Sequence, residues 1–252
     1  MSRGNRKLSK QERREQRRQR RFEKQQQRTN PQPIPEHDRE FQPKRDLKPL
    51  SAKTESQGHY ILAIQEAALT FGIGPAGTGK TYVCGSLAAE ALLNDHVEKI
   101  VLTRPAVEAG ESLGFLPGEI DEKFEPYLQP FRDVLNERLG RGHVEYLIKM
   151  GRIECVPLAY MRGRTFKDSF VILDEAQNAS VTQMKMFLTR IGENCKVIVN
   201  GDPAQTDIRE ASGLMDAVRR LEDLRDVRSV EFCKKDVVRS GLVQMIVERY
   251  QD

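Results

Sequence analysis

Leu69-Thr70-Phe71-Gly72-Ile73-Gly74-Pro75-Ala76-Gly77-Thr78-Gly79-Lys80-Thr81 decides the fold. A short apolar run enters a glycine-rich turn of the form G-x4-G-K-T, and a stretch with helical spacing follows. Strand, loop and helix in this order are the context that a phosphate-binding loop needs. The glycines let successive backbone N–H groups point inward at a polyphosphate, and the helix N-terminus adds the positive end of its dipole. Lys80 is placed to reach the β- and γ-phosphates of a nucleoside triphosphate, and the Thr81 hydroxyl to hold Mg²⁺.

Moving outward from this loop, short apolar runs recur at Leu69–Ile73, Lys99–Thr103, Ile153–Pro157, Phe170–Leu173, Lys196–Asn200 and Arg228–Phe232. Between most of them lie stretches of helical spacing, at Thr81–Leu93, Val181–Ile191, Leu214–Leu221 and Leu242–Tyr250. Buried strands alternating with helices predict an α/β fold with a mostly parallel central sheet flanked by helices. One segment breaks the rhythm. Glu119–Gly151, with apolar residues at Phe124, Leu128, Phe131, Leu135 and Leu139, is expected to be a helical insertion.

Charge divides the chain more sharply than its net value of +4 suggests. Residues 1–53 hold 17 Lys and Arg against 7 Asp and Glu, and the remainder holds 24 against 30. Residues 1–28, with Leu8 and Phe22 as the large apolar groups, predict a basic, disordered arm. Residues 29–53 carry Pro31, Pro33, Pro35, Pro43 and Pro49 and predict a linker. The single globular domain is therefore expected over 54–252.

The run Phe170-Val171-Ile172-Leu173 ends in Asp174-Glu175. Asp174 is a candidate second metal ligand beside Thr81, as a Walker B carboxylate is. Glu175 is a candidate general base for an attacking water. Two acids here favour hydrolysis over phosphoryl transfer to a small molecule, for which a substrate hydroxyl must be kept from water. A third strand ends in Asn200-Gly201-Asp202-Pro203-Ala204-Gln205. In a parallel sheet that tip falls beside the phosphate loop, at the carboxyl end where ligands bind. Gln205 is there a candidate γ-phosphate sensor or water-positioning group.

Four cysteines (Cys84, Cys155, Cys195, Cys233) lie dozens of residues apart without a C-x-x-C pair, so neither a disulfide framework nor a zinc site is suggested. Apolar runs fall short of a membrane span, and the basic N-terminus lacks the apolar core of a secretory signal. A cytoplasmic protein with no membrane partner is expected.

These motifs, in this order, resemble the PhoH family of ATPases, which is related to the core of superfamily-one helicases. The resemblance also rests on Thr103-Arg104-Pro105-Ala106-Val107-Glu108-Ala109-Gly110-Glu111, Leu113-Gly114-Phe115-Leu116-Pro117-Gly118, Met161-Arg162-Gly163-Arg164-Thr165-Phe166, Asp174-Glu175-Ala176-Gln177-Asn178 and Gly201-Asp202-Pro203-Ala204-Gln205-Thr206-Asp207. It covers essentially all of 54–252 and leaves the arm outside. It implies a single RecA-like P-loop NTPase domain, ATP and Mg²⁺ as ligands, and action on RNA or single-stranded DNA. The nucleotide-binding set it implies is Gln57, Gly74, Pro75, Ala76, Gly77, Thr78, Gly79, Lys80, Thr81 and Tyr82, with Gln57 the counterpart of a helicase glutamine that reads adenine. Lys80, Glu175, Gln205 and Arg239 form the catalytic set, Arg239 as a candidate finger for γ-phosphate charge. Where the family usually places His after this arginine, Ser240 stands here.

In helicase-like domains the loops that carry Arg104, Arg162 and Arg164 face nucleic acid, so these three are candidate contacts with it. The basic arm is a second candidate nucleic-acid contact. A chain with room for one RecA-like domain lacks a second motor half, so a homo-oligomer is expected, a ring being one form of it. The competing expectations are a nucleotide-dependent regulatory or adaptor module with slow hydrolysis and a partner-binding basic arm, and a small-molecule kinase.

Overall fold

The computed structural model describes residues 49–105, 120–208, 210–238 and 249. The basic arm, most of the proline-rich linker, Arg239 and nearly all of the helix expected at Leu242–Tyr250 lie outside these residues.

Six strands form one sheet: β1 (Leu69–Ile73), β2 (Lys99–Arg104), β3 (Ile153–Pro157), β4 (Ser169–Leu173), β5 (Lys196–Gly201) and β6 (Val227–Glu231). Their order is β3-β2-β4-β5-β1-β6, and every pairing is parallel. Helices α1 (Glu55–Glu66), α2 (Lys80–Leu93), α3 (Ile120–Leu139), α4 (Arg141–Lys149), α5 (Val181–Leu188) and α6 (Gly213–Leu221) flank the sheet. The fold is the expected α/β, RecA-like one, with the sheet parallel throughout rather than mostly so.

Strand order explains why the site forms where it does. β5 stands between β1 and β4, so the loop after β1 and the acids after β4 are two strand spacings apart, about 9–10 Å. The tip of β5 lies between them. A nucleotide's phosphates and a metal span about that distance.

Alternation along the central strands feeds two apolar layers. Ile100, Leu102, Phe170, Ile172 and Ile198 pack into one layer with Val83 and Leu87 of α2. Val101, Val171, Leu173, Val197 and Val199 pack into the other with Met184 and Phe187 of α5 and Leu214 of α6. Both faces are thereby covered, as a parallel sheet requires.

The expected helical insertion is two helices, parted at Gly140, whose φ of 83° favours glycine. It is not an appendage. Phe131, Leu135 and Leu139 are each 1% exposed and belong to the layer under α2. α3 approaches α2 at Gly85, where an added Cβ would sit 3.1 Å from Val134 Cγ1. Among the described residues, no helix is long and apolar enough to cross a membrane.

Candidate nucleotide site

The loop between β1 and α2 turns through left-handed backbone at Gly77 (φ 82°) and Gly79 (φ 85°) and through Gly74 at φ 133°. A Cβ at Gly74 would lie 2.2 Å from the Phe232 carbonyl oxygen, so both backbone conformation and space demand glycine there. Lys80 begins α2 and folds back over the loop. Its Nζ donates to the carbonyls of Gly74 (2.6 Å) and Pro75 (2.8 Å) and to Thr78 Oγ1 (3.2 Å). Burial lowers its pKa, while Asp202, Asp174 and Glu175 oppose that shift. The ammonium is thus held among carbonyl oxygens, next to three carboxylates.

Gln57, in α1, braces this loop from beneath. The residue is 4% exposed, its Nε2 donates to the Thr78 carbonyl (2.9 Å), and its Oε1 accepts from Lys53 N–H (2.8 Å). The helix is started by Thr54, whose hydroxyl accepts from Gln57 N–H. One layer deeper, the Tyr60 hydroxyl donates to Asn200 Oδ1, and Asn200 Nδ2 reaches Cys84 Sγ at 3.4 Å. These bonds tie α1, the end of β5 and α2 together under the loop. From the other side, Val238 N–H donates to the Gly77 carbonyl at 2.9 Å.

Asp174 follows β4 as Arg104 ends β2, and the β2–β4 register brings them together: Thr103 pairs with Leu173, and Asp174 N–H donates to the Thr103 carbonyl (3.0 Å). Both Nε (3.1 Å) and a terminal nitrogen of Arg104 converge on Asp174 Oδ2. Asp174 is 5% exposed and the Arg104 side chain 14%. Burial raises the Asp174 pKa, and Arg104 is the largest opposing influence. Arg104 is therefore spent inside the site, on the carboxylate. Arg162 is exposed, and Arg164 pairs with Glu154 on β3, which Lys99 also bridges at 2.7 Å.

Glu175 sits in left-handed backbone (φ 53°, ψ 38°) at the start of a 3-10 turn over Ala176–Asn178. That conformation is uncommon for a side-chain-bearing residue. Glu175 itself is exposed, whereas Ala176, Gln177 and Asn178 are buried. Past β5, the Asp202 side chain caps a second 3-10 turn, accepting from Ala204 N–H (3.1 Å) and from Gln205 Nε2 (2.6 Å).

Lys80, Thr81, Asp174, Glu175 and Gln205 line a single cavity of about 310 Å³ at the carboxyl ends of β1, β4 and β5, together with Ala76, Gly77, Gly79 and Tyr82. Gln57, Arg104, Arg162 and Arg164 are not part of its lining. The cavity also takes in Gly201 and Asp202, which lie within a quoted motif but carry no assigned role there, and Pro130 and Val134 from α3, which lie outside the motifs. Thr81 and Asp174 offer hard oxygen donors, which suits Mg²⁺, since this ion keeps waters and substrate phosphates and needs few protein ligands.

The tips of β4 and β5 approach closely at Gly201. A Cβ there would lie 2.6 Å from Leu214 Cδ2 and 2.8 Å from Gln177 Oε1. Gly201→Ala is expected to destabilise the protein by about 1–3 kcal/mol through overpacking. At roughly 2–4 °C per kcal/mol for a chain of this size, thermal unfolding shows the loss, and an unchanged Tm would refute the close approach.

The family model described as PhoH-like protein matches residues 49–251. The chain belongs to the PhoH-like family. It is 52% identical over 205 residues to the PhoH-like protein of Bacillus subtilis (strain 168), covering 81% of this chain and 64% of that one. With Protein PhoH of Escherichia coli (strain K12) it shares 50% over 210 residues, 82% of this chain and 59% of that one. The PhoH-like protein of Synechocystis is 52% identical over 207 residues, 80% and 62% of the two chains. This PhoH-like chain therefore spans 59–64% of the length of these relatives. Among solved structures, the Pif1 helicase of Candida albicans superposes with a TM-score of 0.42 at 12% identity, over 79% of this chain and 43% of that one. At that distance it says nothing about the site. Family membership and the phosphate loop together make this a P-loop nucleotide-binding protein.

Proposed function

We propose that the chain hydrolyses ATP with Mg²⁺ and couples this to binding of RNA or single-stranded DNA. One observation carries the hydrolytic half: Lys80, Thr81, Asp174, Glu175 and Gln205, from three separate strand ends, face one cavity. The triphosphate lies along the loop, its oxygens on the N–H groups of Gly77–Thr81 and on Lys80 Nζ. Lys80 must exchange its carbonyl partners for phosphate oxygens, and its position over the loop makes that a short movement. Thr81 and Asp174 would hold Mg²⁺, which when bound neutralises charge on the phosphate oxygens. Glu175, exposed to the cavity, takes the proton of the attacking water. Gln205 lines the same cavity, where it can orient that water or contact the γ-phosphate.

Burial against Asp174 argues for keeping Arg104 in the metal site, where it holds one carboxylate oxygen and leaves the other to the ion. The nucleic-acid role is assigned to exposed Arg162 and to the basic arm, whose excess of cations suits phosphate contacts. Arg239 keeps its role from the family resemblance. The described chain reaches the phosphate loop at Val238, one residue before it. A homo-oligomer is also proposed, since the one sheet among the described residues makes one motor half.

ATP turnover measured with and without single-stranded RNA, at low and moderate salt, tests both halves. Stimulation that fades as salt rises is the expected result. Turnover without any effect of RNA or DNA would remove the coupling and leave a plain ATPase.

A further inference from the structure

The 3-10 turn after Glu175 is stapled to the loop after β5 by two neighbouring carboxamides. Gln177 is 1% exposed, and all of its bonding is spent inside the site. Its Nε2 donates to Glu175 Oε2 at 2.8 Å and to the Gln205 carbonyl at 3.2 Å, while its Oε1 accepts from Asp202 N–H at 3.0 Å. Asn178 completes the staple. Its Oδ1 accepts from Asp207 N–H (2.8 Å) and its Nδ2 reaches Asp207 Oδ2 (3.3 Å). The missing side chain at Gly201 is what lets the two tips come this near.

We infer that Gln177 is a positioning residue that holds the Glu175 carboxylate in register with the Gly201–Gln205 loop, so that the base and the γ-phosphate-sensing loop act as one unit. This inference rests on the hydrolytic reading above.

An amide donor on Oε2 fixes the carboxylate's rotation about its last bond and leaves Oε1 as the oxygen presented to water. An exposed Glu in left-handed backbone has no packing of its own to do this. The second donor bond and the acceptor bond fix Gln177 in turn. They attach it at both ends of the loop, at Asp202 and at Gln205. Displacement of that loop by a fraction of an ångström therefore moves the amide, and with it the carboxylate. Gln205 itself is tied to Asp202 by its side chain, so a contact between Gln205 and a γ-phosphate bears on the same two anchors. Misplacing a reacting group by about 1 Å costs on the order of 10²-fold in rate.

Two variants separate positioning from bulk structure. Gln177→Glu keeps the volume and the acceptor for Asp202 N–H, and places a charge where the donor to Glu175 was. Gln177→Met keeps the volume and removes all three bonds. Steady-state ATP turnover, affinity for fluorescent MgADP, and trapping of the MgADP–fluoroaluminate complex are measured on the full chain. In both variants kcat is expected to fall by about tenfold or more, fluoroaluminate trapping to weaken in step, and MgADP affinity to stay within about twofold. If Gln177→Met does not fold, Gln177→Glu carries the test alone. A folded variant with wild-type kcat, beside an inactive Glu175→Gln, would overturn the positioning role and leave the hydrolytic reading standing. MgADP affinity falling by the same factor as kcat would also overturn it, since Gln177 would then be a part of the binding wall only. Wild-type turnover in Glu175→Gln would remove the hydrolytic reading and this inference together.

Discussion

Glu175→Gln is expected to cut ATP turnover by about 10²–10⁴-fold, the range a positioned general base supplies, while MgATP still binds. The substitution is isosteric and removes the only proton acceptor the side chain offers to water. Little else should change. Glu175 is exposed, and its one described side-chain bond is to Gln177 Nε2. A glutamine retains an oxygen that can accept this bond. Lys80 and the loop N–H groups, to which the phosphate contacts are assigned, form no described hydrogen bond with position 175. The variant should therefore accumulate bound, unhydrolysed ATP, seen as a stable complex with fluorescent ATP.

Lys80→Ala is expected to act on binding and rate together. Nζ is the cation at the centre of the loop, and Asp202, Asp174 and Glu175 all lie close enough to influence it. Without it, a bound triphosphate would face Asp202, Glu175 and the Arg104-paired Asp174 across a cavity of about 310 Å³ with one cation fewer to offset them. Loss of one such charge-stabilising donor costs about 10²–10³-fold in kcat, and affinity for the triphosphate should fall as well. Fold stability should suffer less, because the bonds it gives up in the described structure are to two carbonyls and a hydroxyl of the loop itself. Nucleotide titration alongside thermal unfolding separates the two effects.

Much of the fold is legible because its signals are local. Ser212 caps α6 through Leu214 N–H, Ser180 and Gln183 form a capping box that starts α5, and apolar strands bracket both helices. α5 ends earlier than its apolar spacing predicts, at Leu188 rather than Ile191, with Thr189 as its cap. The expected insertion shows the limit of periodicity. Phe131, Leu135 and Leu139 mark a face that is buried, but spacing alone does not say that this face belongs to the main core, nor that Gly140 divides the helix.

The phosphate loop and the Asp174-Glu175 pair are likewise legible, since each needs fixed residue types at fixed spacing. Arg104 and Gln177 are not. An arginine at the end of a strand looks like any surface cation until the β2–β4 register sets it beside Asp174. Gln177 is visible within Asp-Glu-Ala-Gln, yet its three partners lie on two different strand ends and come together only because β5 pairs with β4. Gln57 carries a similar lesson. It is read as an adenine contact, and the structure sets its amide against the Thr78 carbonyl, bracing the loop.

Hydrolysis at this phosphate loop is proposed to depend on Asp174 and Glu175. Single-turnover phosphate release from bound ATP, with Mg²⁺ and with EDTA, tests it most directly when wild type is run beside Glu175→Gln. Release is expected from wild type with Mg²⁺, none with EDTA, and bound but intact ATP in Glu175→Gln. Release that is indifferent to the metal, or equally fast in both proteins, would contradict it.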